Sequence, residues 1–282
     1  MNALELRHVT KGYRDFTLKD VSFALPQGCI MGLIGENGAG KSTTIKLILD
    51  TIRRDAGEID VLGKDNREDF VSTRQDVGVI LDEACFPEGL TARQIGNFLA
   101  KTYLRWDDAA YSGYMRRFSL PENKPFKTFS RGMKMKLAFA AALSHHPRLL
   151  ILDEATSGLD PVARDDILDL LMEYTREENH SVLISSHIVS DLEKVCDYIV
   201  FLHKGRLKFC EEKDRLLERY GLLHLSKAEQ EQLDPAAIMG QRAGGYGVTC
   251  LADRRRLPSS MKTERATIED IILYMTKGDS HP

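Results

Sequence analysis

The stretch from Leu33 to Thr44, LIGENGAGKSTT, constrains the fold more than any other part of this sequence. Its glycines are followed at once by Lys41 and Ser42, and together they fit the pattern G-x-x-x-x-G-K-[ST] of a phosphate-binding loop. Glycine has no Cβ, so successive backbone N–H groups can turn inward around an anion. A helix that begins at the loop adds the positive end of its dipole to the same site. The motif therefore predicts a strand, an anion-binding loop and a helix in direct succession.

The surrounding sequence agrees with this prediction. Cys29–Ile34 is an apolar run typical of a buried strand, and helical sequence follows from Thr43. Because further apolar runs alternate with helical sequence, we expect an α/β fold with a mostly parallel sheet. These runs lie at 77–81, 149–152 and 181–185. At the N-terminus, alternating apolar and polar residues at 3–9 and 15–25 predict an antiparallel pair of strands.

The composition indicates a globular chain: 43% of the 282 residues are hydrophobic and 29% are charged. With 39 basic and 42 acidic residues the formal charge is -3, which gives no support for nucleic-acid binding. The five cysteines are scattered without C-x-x-C spacing, so we expect reduced thiols and no metal site built from them. No run approaches the roughly 18 apolar residues of a membrane span, and the N-terminus lacks an apolar signal segment. We therefore expect a cytoplasmic chain that reaches a membrane only through a partner.

Two changes along the chain suggest its division into units. From Thr91 to His146 the apolar spacing becomes helical, which predicts a helical insert at about 85–146 between two strands. Near Tyr220 the composition changes again. We expect a main unit at 1–220 and a small α+β appendage at 221–282.

A second chemical signal lies in Leu149–Glu154, LLILDE. Asp153, at the end of a buried strand, is placed to hold Mg²⁺, and Glu154 is then free to polarise a water. A strand that ends in solvated acids is a common alternative, and the phosphate loop alone also fits a kinase, a GTPase or a helicase. The two signals together favour NTP hydrolysis, because that reaction needs both a metal carboxylate and a group that orients water.

Three further motifs complete an ordered set. SRGMK begins at Ser130, SGLDP begins at Ser157 and SSH ends at His187. In this order and at these separations, the motifs resemble those of the ATP-binding-cassette (ABC) ATPases, over residues 4 to 210. The resemblance implies an ABC-type cassette of the P-loop NTPase class, with a mostly parallel sheet core, an antiparallel β subdomain and a helical subdomain.

The resemblance also implies how ATP is bound. Tyr13 would stack on adenine, although an ordinary strand-edge tyrosine is the alternative. Ser130 and Gly132 would bind the γ-phosphate of ATP held by a second copy, and Asp160 would lie across that dimer interface. The ATP-binding residues expected in this way are Tyr13, Gly35, Glu36, Asn37, Gly38, Ala39, Gly40, Lys41, Ser42, Thr43, Ser130, Gly132 and Asp160.

The same resemblance implies the catalytic roles. Glu154 would be the general base, and His187 would contact the γ-phosphate and the attacking water. Lys41 would stabilise charge on the phosphates. Mg²⁺ would be held by Ser42, Asp153 and Asp82.

Some positions depart from the family pattern. Arg131 stands where the signature motif usually has a second glycine, and Met133 stands where it usually has glutamine. The coupling loop, which usually opens with glutamine, opens here with Asp82. The sequence leaves open whether Arg131 folds outward or adds charge near a phosphate.

The leading prediction is the ATP-hydrolysing motor subunit of an ABC transporter, resembling the ABC-2-type exporters of drugs, antibiotics or peptides. It would form a head-to-tail dimer with a second copy or a homologous cassette. It would power a separate integral membrane permease, bound through residues 82–91 and the helical insert, on the inner face of the cell membrane. One alternative is a soluble ABC ATPase acting on ribosomes or DNA, although the chain has one cassette and no heptad run. Another is a regulatory cassette that binds ATP but hydrolyses it slowly.

Overall fold

The computed structural model describes residues 1–68, 73–82, 85–226, 229, 233–244, 247–258 and 261–278. The strands are β1 Asn2–Gly12, β2 Thr17–Pro26, β3 Ile30–Ile34, β4 Ala56–Val61, β5 Lys64–Asp65, β6 Val77–Ile80, β7 Leu149–Asp153, β8 Ser181–Ser185, β9 Tyr198–His203, β10 Arg206–Glu212, β11 Tyr220–Leu225, β12 Ile238–Gly244, β13 Gly247–Asp253 and β14 Glu264–Arg265. The helices are α1 Lys41–Ile48, α2 Ala92–Leu99, α3 Asp108–Arg117, α4 Arg131–Leu143, α5 Pro161–Tyr174, α6 Val189–Val195, α7 Lys213–Arg219 and α8 Ile268–Gly278.

The central sheet has the strand order β10-β9-β3-β8-β7-β6 and is parallel apart from the β9–β10 hairpin. The phosphate-binding loop leaves β3, which lies between β8 and β9. Because the carboxyl ends of parallel strands meet at one edge, the residues that follow β3, β7 and β8 converge there. The predicted α/β fold with a mostly parallel core is confirmed.

A second sheet, with the order β2-β1-β4-β5, forms the antiparallel subdomain. β1 and β2 pair from Asn2 opposite Pro26 to Gly12 opposite Thr17. The antiparallel pair expected at the N-terminus is thus confirmed. β1 extends beyond residues 3–9 at both ends, whereas β2 begins two residues later than expected, at Thr17, and ends one residue later, at Pro26.

The central sheet is buried on both faces, as its continuous apolar strands indicated. In β7, Leu149 and Ile151 pack into one hydrophobic cluster together with the antiparallel subdomain. Leu150 and Leu152 pack into the other cluster, which includes the helices of the insert. Successive side chains of a strand point to opposite faces, so these four residues join two cores across one sheet.

The helical insert contributes α2, α3 and α4 between β6 and β7, and a side chain caps each helix. Thr91 accepts from the N–H of Gln94 and forms a capping box with it. The side chains of Asp107 and Ser130 cap α3 and α4 by accepting from backbone N–H groups of the first turn. The cap at Ser130 matters most here, because it fixes the backbone at the start of the predicted signature helix.

The C-terminal part carries its own antiparallel sheet, in the order β12-β13-β11-β14. Its helix α8, however, buries Ile268, Ile271 and Tyr274 in the larger core of the main unit. The backbone N–H of Ile268 also donates to Oε2 of Glu193 in α6, at 3.1 Å. The proposed division at residue 220 stays a prediction. Across that division, α8 is anchored to the helix that follows His187.

Candidate active site

The phosphate-binding loop connects β3 to α1, and two of its glycines meet specific backbone requirements. A Cβ at Gly35 would lie 2.5 Å from the carbonyl oxygen of Leu202 and 2.8 Å from the Cβ of Ala39. Gly40 has a φ of 112°, a conformation that a residue with a side chain rarely adopts. The loop therefore packs directly on β9, and its N–H groups lead into the first turn of α1.

Lys41 is the first residue of α1, and only 7% of it is exposed. Its Nζ donates to the carbonyl oxygen of Gly35 at 2.7 Å and lies 3.6 Å from Oε1 of Glu154. The ammonium group is thus held over the loop by a carbonyl and a carboxylate. Phosphate oxygens can take the place of these partners through charge-assisted hydrogen bonds, so the loop fits the anion that its sequence predicted.

A cleft of about 960 Å³ opens at the loop, which is within the range of small-molecule sites. Most of the loop lines it, as residues 34–38 and 40–43. Asp82, Glu154 and His187 line it as well. The structure thus brings together, in one cleft, residues that lie far apart in the sequence.

Glu154 and His187 form a hydrogen-bonded pair in this cleft. Oε2 of Glu154 lies 2.6 Å from Nδ1 of His187 and accepts from the backbone N–H of His187 at 3.3 Å. Glu154 has a φ of 53°, which costs energy for a residue with a Cβ and is held by the surrounding contacts. A carboxylate fixed in this way can accept a proton from a water in the cleft, with the imidazole beside it to orient that water.

Ser185 holds both acidic residues at the end of β7. Its Oγ donates to Oδ1 of Asp153 at 2.5 Å and accepts from the backbone N–H of Glu154 at 3.2 Å. The sequence had indicated Ser185 only as part of a motif. Its position at the end of the strand beside β7 was the signal for its role.

Of the three residues predicted to hold Mg²⁺, Ser42 and Asp82 line the cleft, and the Asp82 carboxylate accepts a hydrogen bond from Arg131. Asp153 is not among the lining residues, but Ser185 fixes its carboxylate next to Glu154, which does line the cleft. Hydroxyl and carboxylate oxygens are hard donors of the kind that Mg²⁺ prefers, so the chemistry of these residues fits the ion, and their role in holding it stays a prediction.

The predicted signature residues lie outside the set that lines this cleft. Ser130 caps α4 by accepting from the N–H of Met133 at 3.2 Å. A Cβ placed on Gly132 would lie 4.0 Å from Oδ2 of Asp160. Asp160 itself caps α5, and hydrogen bonds from the backbone N–H groups of Ala163 and, to a lesser extent, Val162 lower the pKa of its carboxyl group. Within one chain, then, the signature and the SGLDP segment are neighbours, and neither Ser130 nor Gly132 reaches the phosphate loop's cleft.

Comparison with known proteins agrees with this arrangement. The family model described as ABC transporter matches residues 18–157. The chain is 33% identical over 218 residues to the ABC transporter ATP-binding protein YtrB of Bacillus subtilis (strain 168), covering 77% of this chain and 74% of YtrB. The chain belongs to the ABC transporter family.

Two further proteins show the same likeness. The bacitracin transport ATP-binding protein BcrA of Enterococcus faecalis is 34% identical over 210 residues, which cover 72% of this chain and 67% of BcrA. A solved structure of the ATP-binding subunit of an ABC transporter has a TM-score of 0.71 at 31% identity, covering 77% of this chain and 92% of that one. As a member of the ABC transporter family, the chain is an ATP-binding ATPase.

In this ABC ATPase the connection between β1 and β2 carries two aromatic residues near the cleft, Tyr13 and Phe16. Tyr13 is 47% exposed, and its side chain is not among those that line the cleft. Phe16 lines the cleft instead, and its ring centroid lies 6.4 Å from that of Tyr13. No sequence pattern pointed to Phe16, because both rings belong to the same short connection between β1 and β2. Stacking of Tyr13 on adenine stays a prediction.

Ile272 of α8 also lines the cleft, beside Val189 of α6. No local pattern indicated this, because α8 lies in the C-terminal part, which carries none of the family's motifs.

None of the helices in the described part of the chain has the length and hydropathy that a membrane span requires.

Proposed function

We propose that this chain is the ATP-hydrolysing motor subunit of an ABC exporter and works as a head-to-tail dimer. One observation carries the proposal. The phosphate loop, Glu154 and His187 share one cleft, whereas Ser130 and Gly132 lie outside it. A single chain thus presents half of an ATP site in the cleft and the complementary half elsewhere on its surface.

Within the cleft, each residue has a role that its position supports. The loop N–H groups and Lys41 bind the phosphates of ATP, and Ser42 and Asp153 would hold Mg²⁺. Mg²⁺, when bound, supplies positive charge to the phosphate oxygens. The Glu154 carboxylate takes the proton from the attacking water, and His187, hydrogen-bonded to that carboxylate through Nδ1, orients the water.

The complementary half is the start of α4. The Ser130 hydroxyl accepts from the Met133 N–H, so its own proton remains available to donate. The free N–H groups of the first turn and the positive end of the helix dipole point in the same direction. The γ-phosphate bound by a second copy, or by a homologous cassette, fits this anion site. Asp160, which caps the neighbouring helix, is placed to lie at the same interface.

An apolar groove lies beside the coupling segment, as we call the predicted coupling loop at 82–91, and is the surface proposed to bind the permease. This groove, of about 230 Å³, is lined by side chains of β6, of the following segment and of the helical insert, including Leu81, Phe86, Leu99 and Tyr103. Leu81 is 46% exposed and Val79 of β6 is 38% exposed, so the groove presents neighbouring apolar side chains to solvent. Residues 83–84 of the predicted contact segment lie outside the described residues. The proposed occupant of the groove is a cytoplasmic segment of an integral membrane permease.

The names of several relatives support export of antibiotics or peptides as the class of function. BcrA of Enterococcus faecalis is named for bacitracin transport, SrtF of Streptococcus pyogenes for lantibiotic transport, and LnrL of Bacillus subtilis (strain 168) for linearmycin resistance. By this analogy the chain would lie on the inner face of the cell membrane, held there by its permease.

Membrane co-purification tests the proposal. The tagged chain should be recovered from detergent-solubilised membranes together with an integral membrane protein, which mass spectrometry identifies. Leu81→Glu should abolish this recovery, because it places a charge in the groove. Met172→Glu changes an exposed apolar residue of α5, which lies outside the helical insert and does not line the groove, so it should leave recovery unchanged. Recovery of the chain only with ribosomes, DNA or other soluble proteins would overturn the proposal.

A further inference from the structure

Two residues that depart from the ABC family pattern contact each other in this structure. Nη2 of Arg131 donates to Oδ1 of Asp82 at 2.9 Å, although the two residues are 49 positions apart in the sequence. The family's usual residues here, glycine and glutamine, cannot form an ion pair. The two departures therefore make up one interaction.

The guanidinium of Arg131 also packs against the SGLDP segment. A Cβ placed on Gly158 would lie 2.7 Å from Nη1 and 2.8 Å from Cζ of Arg131. Gly158 has a φ of 68°, so both its backbone conformation and the neighbouring arginine favour glycine. The arginine side chain thus lies against this turn, although about half of it remains exposed to solvent.

Arg131 therefore connects three functional segments within one chain. It is the first residue of α4, directly after the capping Ser130. Its partner Asp82 lines the ATP cleft and opens the coupling segment. The turn at Gly158 leads to Asp160 and α5.

The ion pair also affects the charge of the cleft. An unpaired Asp82 carboxylate would repel a triphosphate, and the guanidinium offsets that charge. The two side chains are 53% and 57% exposed, so solvent weakens the pair. Exposed ion pairs typically change an equilibrium constant by about 1.5- to 5-fold, and we expect the Asp82–Arg131 pair to have an effect of that size.

We propose that Asp82 and Arg131 are mutually dependent positioning residues. Their contact holds the first turn of α4 against the coupling segment and the Gly158 turn. A displacement of the coupling segment then moves Ser130 and Gly132, the half-site offered to a second copy. The last step rests on the proposed function, whereas the contact itself can be tested in the monomer.

Hydrogen exchange on the ATP-free monomer tests the contact. The amides of Met133 and Lys134 bond to Ser130 and report opening of the first turn of α4. Asp82→Asn leaves the sequence of α4 intact, so any effect on these amides must pass through the pair. We expect about 1.5- to 5-fold faster exchange in Asp82→Asn and in Arg131→Gln, and no further increase in the double variant. Arg116→Gln removes an exposed arginine of α3 and should leave exchange at these amides unchanged.

Dimerisation tests the consequence. In a Glu154→Gln background at saturating ATP, each single variant should weaken the dimer by a similar factor, and the double variant should be no weaker than either. Arg131→Lys keeps the charge and should recover part of the loss. If the Glu154→Gln parent forms no dimer, the proposed function fails, and exchange still decides the pair. Unchanged exchange in Asp82→Asn, or effects of the two substitutions that multiply, would overturn the proposal.

Discussion

Replacing Ser185 with alanine should disable the acidic end of β7 while leaving the phosphate loop intact. Ser185 is fully buried, and its hydroxyl bonds both the Asp153 carboxylate and the Glu154 N–H. Hydrogen bonds to charged groups contribute about 1.5–3 kcal/mol. Asp153 is only partly buried, so water can replace part of this loss. We expect the free energy of unfolding to fall by about 2 kcal/mol.

The larger consequence should be on turnover. Without the hydroxyl, Asp153 and Glu154 lose the group that fixes their relative orientation, and a loss of about 1.4 kcal/mol in the transition state lowers kcat roughly tenfold. The Kd for ATP should change little, because Ser185 does not line the cleft. Steady-state phosphate release, urea unfolding and nucleotide titration measure the three quantities separately.

Ser186→Ala is the matched control. Ser186 is equally buried, but its Oγ accepts from the Ile188 N–H and bonds neither carboxylate. It should lower stability by about 1 kcal/mol and leave kcat near that of the unmodified protein. Equal losses of kcat in the two variants would show that the Ser185 bonds have no specific role.

Three further predictions concern the loop, α8 and the helical insert. Lys41→Ala should weaken ATP binding about 100-fold, because it removes the buried ammonium over the loop; nucleotide titration that shows unchanged affinity would refute this. Ile272→Glu should raise the Kd for ATP roughly fivefold by placing a carboxylate in the cleft, whereas Leu273→Glu, one residue away and outside the cleft lining, should not. Burial lowers the pKa of His145 to about 4, so its neutral form is favoured in the folded state, and this contribution to stability is lost as pH falls below about 6.5. In urea unfolding, the free energy of unfolding should fall by about 2 kcal/mol between pH 7 and pH 5 because of this group. His145→Phe can keep the stack on Tyr103 and should lack this loss. If the free energy of unfolding depends on pH equally in the two proteins, His145 is not the group responsible.

The elements that hold the site could be predicted from the sequence because each motif is local. Glycine spacing determines the loop, and a continuous apolar run determines β7. The order of the motifs along the chain then indicates which strand ends converge. In the structure, Lys41, Glu154 and His187 line one cleft, which agrees with the order of their motifs.

The remaining contacts depend on packing between distant segments, which no local pattern encodes. Either Phe16 or Tyr13 can face the cleft from the same connection, and only tertiary contacts select between them. Ile272 reaches the cleft because α8 packs on α6. The sequence left two orientations open for Arg131, and its place beside Asp82 follows from how α4 approaches the end of β6.

The central claim is that two chains complete each ATP site, and the mass of the Glu154→Gln variant tests it most directly. This substitution keeps ATP binding but removes the base, so an ATP-bound dimer should accumulate. Size-exclusion chromatography with light scattering should give 31.8 kDa without nucleotide and about twice that mass with ATP and Mg²⁺. Adding Ser130→Arg, which blocks the signature half-site, should restore the monomer. A variant that binds ATP yet keeps a mass of 31.8 kDa at saturating ATP would contradict the account.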